Sequence, residues 1–209
     1  MPNVSNVKAK YFGVSTATDR NGVCAAQTTG AAGSLTLDGA GVTDSVATWG
    51  TNAGATVSVY TASANTGVNF FITGADLFGV SQKESLTGPG AGATVNTTAY
   101  FVTVTAVSVD AAITGNAEVG WTRPATDVGG VFAGRTRIRG IQGLSGTTAG
   151  DVSFNNTSIT GTTLLTVPTQ AAAELIEPYI PDNGVLFDAG AYISYANSVL
   201  AGITVFYDG

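Results

Sequence analysis

Residues 56–61, TVSVYT, alternate between hydroxyl-bearing and apolar side chains with a period of two. Because successive side chains of a β-strand point to opposite faces of its sheet, Val57 and Val59 face the same side. Residues 68–73, VNFFIT, form a second run of this kind after a turn signal at residues 64–67, ANTG. The two segments predict consecutive β-strands.

Similar runs, rich in Val, Thr, Ile, Phe and Tyr, recur along the chain between Gly, Asn and Asp residues. The longest run, residues 99–109, has room for two strands or for one bent strand. Residues 171–177, AAAELIE, are the single candidate helix, but strand or loop suits this short segment between Pro168 and Pro178 equally well. Helical periodicity is otherwise nearly absent, so the sequence predicts an all-β protein.

The alternation breaks at residues 122–130, TRPATDVGG, which are rich in turn-forming residues. We therefore predict two small domains that resemble β-sandwiches or barrels. The first β-sandwich covers residues 35–122, a linker covers residues 123–134, and a second sandwich or jelly-roll-like domain covers residues 135–209. Residues 1–34 differ from both halves and are predicted to form an extended N-terminal arm that docks on another surface.

The composition excludes most common catalytic chemistries. The 209 residues include no His, one Cys and only 11% charged residues, and the formal net charge is −6. Without His there is no Ser-His-Asp triad, no imidazole base and no His-containing zinc site, and one Cys forms no internal disulfide. We predict a protein that is not an enzyme and has no cofactor, metal site or catalytic residue. The acidic balance also argues against nucleic acid as a partner.

The amino-terminal sequence lacks the apolar core of a secretory signal, and no run approaches the roughly 18 apolar residues of a membrane-spanning helix. The sequence therefore predicts synthesis in a cytoplasm and no membrane partner. Cys24 is expected to be a small buried residue rather than a reactive thiol.

Three of the eight basic residues form a strip at Arg135, Arg137 and Arg139. At a period of two, their guanidinium groups project from one face of a strand. The strip is compatible with a solvated strand face that protects an edge, or with a carboxylate-binding surface at a subunit interface. A nucleic-acid contact is the third interpretation of the strip.

A second candidate partner interface lies near the amino terminus, at Lys8, Lys10, Tyr11 and Phe12. These residues are compatible with a first strand that has a basic start. They are equally compatible with an arm that clamps a partner subunit.

Acidic residues offer two weaker candidates. Paired carboxylates suffice for glycoside hydrolysis, and the candidate pairs are Asp182 with Asp188 and Glu174 with Glu177. Oxygen ligands alone suffice for calcium, and the candidates are Asp38, Asp44 and Asp182. Both carboxylate pairs lie near turns, where Asp is expected for backbone capping alone, and the calcium candidates lack the spaced acidic loop of a known site.

Aromatic residues are numerous enough to line a sugar-binding platform. In adjacent pairs such as Phe70-Phe71, one ring faces the core and the other faces solvent or a neighbour. Core packing or subunit contact is the simpler interpretation of the whole set. The set comprises Trp49, Trp121, Phe70, Phe71, Tyr192, Tyr195, Phe206 and Tyr207.

Residues 67–79, GVNFFITGADLFG, with 84–92, ESLTGPGAG, and 101–107, FVTVTAV, resemble a module found in structural proteins of tailed bacteriophages. The shared features are an ITG-D-x-x-G turn, an E-x-LTGP segment and an F-x-TVT-x-V strand, and the resemblance covers about residues 35–121. Residues 181–194, PDNGVLFDAGAYIS, and the final strand 203–207, ITVFY, resemble terminal modules of small marine-phage virion proteins. One departure is Asp208, which precedes the final Gly.

The resemblance implies a capsid decoration or cement protein, made in the host cytoplasm and located on the capsid surface of the virion. Its implied partners are the major capsid protein, at junctions between subunits, and further copies of itself, with a trimer favoured. The alternative is a tail, fibre or baseplate component that binds a host receptor glycan.

Overall fold

The computed structural model describes residues 6–209, which form nineteen β-strands and no helix. The all-β, β-sandwich-like fold class predicted from the sequence is confirmed. In chain order the strands are β1 (Val7–Gly13), β2 (Asp19–Gln27), β3 (Gly33–Ser34), β4 (Val42–Thr43), β5 (Val46–Thr48), β6 (Thr56–Thr61), β7 (Asn69–Ala75), β8 (Ser81–Thr87), β9 (Ala93–Asn96), β10 (Thr103–Val109), β11 (Ala117–Thr122), β12 (Thr126–Phe132), β13 (Thr136–Ser145), β14 (Gly150–Asn156), β15 (Thr163–Thr169), β16 (Leu175–Ile176), β17 (Val185–Phe187), β18 (Ala191–Ala196) and β19 (Leu200–Asp208).

The chain divides into two compact units. Of the described residues, unit 1 combines residues 6–14, 51–53 and 125–209, and unit 2 combines residues 15–50 and 54–124. Each unit is therefore assembled from segments that are not continuous in the sequence.

Unit 1 contains two antiparallel sheets that share one core. Sheet A has the strand order β1-β19-β13-β16, and β17 also pairs with β13; sheet B has the order β12-β18-β14-β15. Ile203 and Phe12 of sheet A and Phe154 and Ile193 of sheet B are almost completely buried in the same cluster. Burying an apolar side chain of this size stabilises the fold by about 1.5–3 kcal/mol, so the shared core holds the two sheets together.

Unit 2 repeats this architecture with different strands. Sheet C has the order β4-β5-β10-β7-β8, with β3 also paired to β10, and sheet D has the order β2-β11-β6-β9. Val57 and Val59 of β6 are fully buried, as the alternation predicts, and so is Phe70 of β7. Trp49 and Trp121 pack in this core with ring centroids 5.5 Å apart.

Two segments whose conformation the sequence left open are settled by the structure. In residues 99–109 the strand is β10, and Phe101 forms only an isolated bridge with Ala55. In the candidate helix, Ala172 and Ala173 have φ values of 83° and 54°, which a right-handed helix excludes. The end of that segment pairs with β13 as the short strand β16.

Of residues 1–34, predicted as an arm, residues 1–5 lie outside the described chain, and the rest contain three sheet strands, the third being the short β3, which pairs with β10. β1 pairs with β19 from Val7 to Gly13, and β2 pairs with β11. Phe12 is 1% exposed, because its ring enters the core of unit 1. The burial of this ring and seven paired residues hold β1 in its sheet.

Residues 123–134, predicted as a linker, contain β12, which pairs with β18. Gly129 accounts for part of the turn-like composition, since a Cβ at this position would lie 2.5 Å from the ring of Phe12. The glycine serves close packing here rather than a turn. Within the described chain no helix is long and apolar enough to cross a membrane.

Candidate functional site

The strand register of sheet A fixes which side chains share its solvent-facing side. Ile203 and Val205 of β19 are fully buried, so Thr204, Phe206 and Asp208 point away from the core. We call this side the outer face of sheet A.

Neighbouring strands extend this face in rows. Tyr11, Thr204 and Gln142 lie side by side on β1, β19 and β13. In the next row Leu144 of β13 lies opposite Leu175 of β16. The rows place an aromatic ring, polar groups and two leucines on one continuous surface.

The outer face of sheet A exposes large apolar side chains. Among the described residues, four of the seven such side chains exposed to solvent belong to it: Val7 (41%), Tyr11 (46%), Leu144 (43%) and Leu175 (65%). The other three are Val80, Leu164 and Tyr179. Scattered exposed apolar residues are ordinary, but a contiguous group is typical of a docking surface.

Two aromatic rings on this face lie next to a glycine of the neighbouring strand. A Cβ on Gly202 would overlap the Tyr11 hydroxyl, and a Cβ on Gly140 would lie 3.4 Å from the Phe206 ring. Cross-strand aromatic–glycine pairs of this kind cover exposed backbone.

The part of the face around Tyr11 and Phe206 carries two shallow grooves. One, of about 320 Å³, is lined by Tyr11, Gln142 and Leu144, with residues 201–204 of β19. The other, of about 360 Å³, lies between Phe206 and the loop after β16, which contributes Glu177 and Pro178. Both are open to solvent along the sheet.

The arginine strip lies at one end of the same face. Thr136 and Ile138 are buried, so the three arginines project to the outer side. Arg135 lies 3.5 Å from Asp188 and Arg139 lies 3.7 Å from Asp208.

Arg137 differs from the other two arginines. Its Nη1 donates a hydrogen bond of 3.0 Å to the backbone carbonyl of Asn183. In the register of sheet A, Arg137 lies between Asp208 of β19 and Leu186 of β17.

The amino-terminal candidates do not all reach this face. Lys8, Lys10 and Phe12 share the opposite side of β1, because they alternate with Tyr11. Lys10 Nζ donates a 2.6 Å hydrogen bond to the carbonyl of Gly130 on β12, and so links sheet A to sheet B. Lys8 Nζ lies 5.9 Å from the centroid of the Phe132 ring.

Sheet A nevertheless brings the two sequence-predicted groups together. β1 and β13 flank β19, so Val7, Asp208 and Arg137 form one row although they are far apart in the chain. Tyr11 and the arginine strip therefore lie on the same face. Leu144 and Leu175, which sequence reasoning did not single out, complete it.

Most of the acidic candidates have structural partners or lie in turns, whereas Glu174 and Glu177 flank β16. Asp188 faces Arg135, and Asp38 accepts a hydrogen bond from the backbone N–H of Ala25. Asp44 has a φ of 52° in the turn between β4 and β5. Among residues 6–209 no three Cys, Asp or Glu side chains are grouped to hold a metal ion.

Cys24 is a core residue of unit 2. Burial, with a smaller contribution from Asp38, raises the pKa of its thiol from 9.0 to about 12. Because the thiolate is the nucleophile, a thiol with this pKa is inert near neutral pH.

No protein-family model, curated protein or solved structure was found to match this chain.

Proposed function

We propose that this chain is a non-enzymatic phage virion protein that binds the capsid surface at subunit junctions and stabilises the shell. The observation that carries the proposal is the outer face of sheet A, which exposes the large apolar side chains of Tyr11, Leu144 and Leu175. Both units have well-buried cores of their own, so this apolar surface is available for a partner.

The dimensions of the face suit a shell built from repeated subunits. β1, β13 and β19 are seven to ten residues long, and four strands span the sheet. At about 3.3 Å per residue and about 4.8 Å between strands, the face offers on the order of 500 Å². A standard interface uses about 800 Å² per partner, so one such contact is modest. Binding would be strengthened if the junction also contacted a second surface of the chain, or if several linked copies bound together with avidity.

The chemistry of the face favours a protein partner. Its centre carries Ala9, Phe206, Thr204 and Gln142, and its charges are those of the arginine strip and of Glu177 beside one groove. Uncharged groups lose less hydration free energy on burial than charged groups do, which suits a subunit contact. The sequence resemblance to phage virion modules supports the major capsid protein as that partner, and it favours a trimer of this chain.

A glycan is the second candidate ligand, as expected for a tail, fibre or baseplate component. The observation that favours it is the presence of two aromatic rings, Tyr11 and Phe206, on the outer face of sheet A. Aromatic faces of this kind pack against sugar rings. The leucines at Leu144 and Leu175 favour the protein partner instead.

Binding to virions purified from phage that lack the gene tests the proposal. We expect the wild-type chain to rebind in many copies and to raise the resistance of the particles to heat and osmotic shock. The variant Tyr11→Ser/Leu144→Ser/Leu175→Ser should lose most of this binding. Val80→Ser/Leu164→Ser, which changes exposed apolar residues elsewhere, is the matched control. Equal binding by both variants would overturn the proposal.

A further inference from the structure

The charged end of the outer face contains a groove that the proposed contact through exposed apolar side chains does not use. It has a volume of about 210 Å³ and is lined by Arg135, Thr136, Arg137, Leu186, Asp208 and Gly209. Thr136 is buried and donates its hydroxyl hydrogen to the carbonyl of Asp208, which fixes the start of β13 against the end of β19. The floor of the groove is therefore formed by the paired ends of β13 and β19.

Arg137 is the arginine of the strip that has no carboxylate. Arg135 faces Asp188, and the carboxylate of Asp208 lies against Arg139, although Asp208 is opposite Arg137 in the register. The guanidinium of Arg137 has five N–H donors, of which Nη1 serves the carbonyl of Asn183. Within residues 6–209 its remaining donors have no acceptor.

Position and charge suit this guanidinium to an incoming anion. Arg137 is half-buried between β19 and β17, so its planar group is more restricted than that of a free surface arginine. The strip holds three arginines against two aspartates, Asp188 and Asp208, which leaves one positive side-chain charge. A planar guanidinium with free donors matches the two oxygens of a carboxylate.

We infer that Arg137 binds a carboxylate presented by the shell surface on which the outer face of sheet A docks. The source of the carboxylate rests on the proposed function, whereas the groove itself does not. The contact specifies the orientation of the chain on its partner, because it lies at one end of the face and the exposed leucines lie at the other.

Two measurements test this inference separately. The first compares Arg137→Gln with the wild type in rebinding to gene-deleted virions over a range of salt concentrations. We expect affinity to fall about tenfold or more, because two parallel hydrogen bonds from a guanidinium to a carboxylate form a strong charge-assisted contact. The remaining binding should depend less on salt. Arg137→Lys keeps the positive charge but loses the planar guanidinium, so it should recover only part of the affinity. Lys83→Gln in unit 2 makes the same change in net charge and should bind as the wild type does.

The second measurement titrates the isolated chain with succinate and follows the amide NMR signals of Thr136, Arg137 and Leu186. These signals should shift at millimolar succinate in the wild type and in Lys83→Gln, but not in Arg137→Gln. If the wild type binds virions and Arg137→Gln binds equally well, the inference is wrong and the proposed function stands. If the wild type does not bind virions, the proposed function fails, and the succinate shifts alone decide whether the groove binds a carboxylate.

Discussion

The ring of Tyr11 on β1 lies over Gly202 on β19, in the space that a side chain at position 202 would need. The same ring also lies next to Gly13, since a Cβ added to Gly13 would be 3.4 Å from Tyr11 Cε1. The two glycines thus leave room for an aromatic side chain on the outer face of sheet A, where it remains 46% exposed. This arrangement shapes the surface that we propose docks on the shell.

Gly202→Ala should therefore displace the Tyr11 ring. We expect a loss of about 1–3 kcal/mol in the stability of unit 1, because an added methyl group overlaps a packed ring. Urea unfolding followed by circular dichroism measures the loss. Gly30→Ala, where the added methyl meets no atom within 4 Å, is the control, and an equal change in both variants would contradict the account.

Lys10 should stabilise unit 1, whatever it does for a partner. Lys10→Met keeps the apolar stem but removes the hydrogen bond to Gly130, which we expect to lower the free energy of unfolding by about 1–2 kcal/mol. Lys8→Met removes only a distant contact with the Phe132 ring and should change stability by less than about 0.5 kcal/mol. Equal effects of the two substitutions in urea unfolding would show that the Lys10 contact contributes nothing.

Asn65 should be one of the most sensitive polar positions in unit 2. Its side chain is buried, accepts a hydrogen bond from the N–H of Thr114 and donates to the carbonyls of Thr114 and Ser63. Asn65→Ala should cost about 2–4 kcal/mol, since it leaves buried backbone groups without partners. Tryptophan fluorescence is a selective probe here because both Trp residues belong to unit 2.

Gln27 provides the comparison for Asn65. It makes a similar pair of bonds to the N–H and carbonyl of Thr36, but it is only half-buried. Water can replace those bonds, so Gln27→Ala should cost about 1 kcal/mol. A loss at Asn65 no larger than the loss at Gln27 would refute the role assigned to burial.

Cys24 should make the stability of unit 2 fall at alkaline pH. The folded thiol has a pKa of about 12 against 9.0 for an ordinary thiol, so above pH 9 the unfolded chain loses a proton that the folded chain keeps. The contribution is complete below pH 9 and is lost as the pH rises towards 12. Unfolding curves of the wild type and Cys24→Ala should diverge over this range, and parallel curves would contradict the burial of the thiol.

Local sequence pattern predicts much of the fold. The alternation at residues 56–61 correctly predicts β6 and the burial of Val57 and Val59. The reasoning about adjacent aromatics is also confirmed at Phe70, which is fully buried, and Phe71, which is not. These features follow from the geometry of a single strand, so no knowledge of its partners is needed.

The outer face depends on information that a local pattern does not contain. In β13 an extra residue, Arg139, shifts the register against β19 between Ile138 and Gly140. Without this bulge, a period of two would place Leu144 on the same side as the buried Ile138. The bulge reverses the alternation, so Leu144 faces solvent at 43% exposure.

Long-range pairing hides the role of the amino-terminal residues in the same way. The sequence of β1 is basic and partly polar, and nothing near it in the chain identifies β19 as the partner strand. Only that pairing places Phe12 in the core and Tyr11 on the outer face. Such contacts are formed by the topology of the whole unit and not by residue propensities.

A cryo-electron microscopy map of the virion would show where the chain binds and which of its faces touches the shell. We expect many copies of the chain over the capsid, with the outer face of sheet A turned towards the shell. Tyr11, Leu144 and Leu175 should then contact capsid subunits. A few copies confined to the tail, or a shell-bound chain whose outer face of sheet A points to solvent, would contradict this expectation.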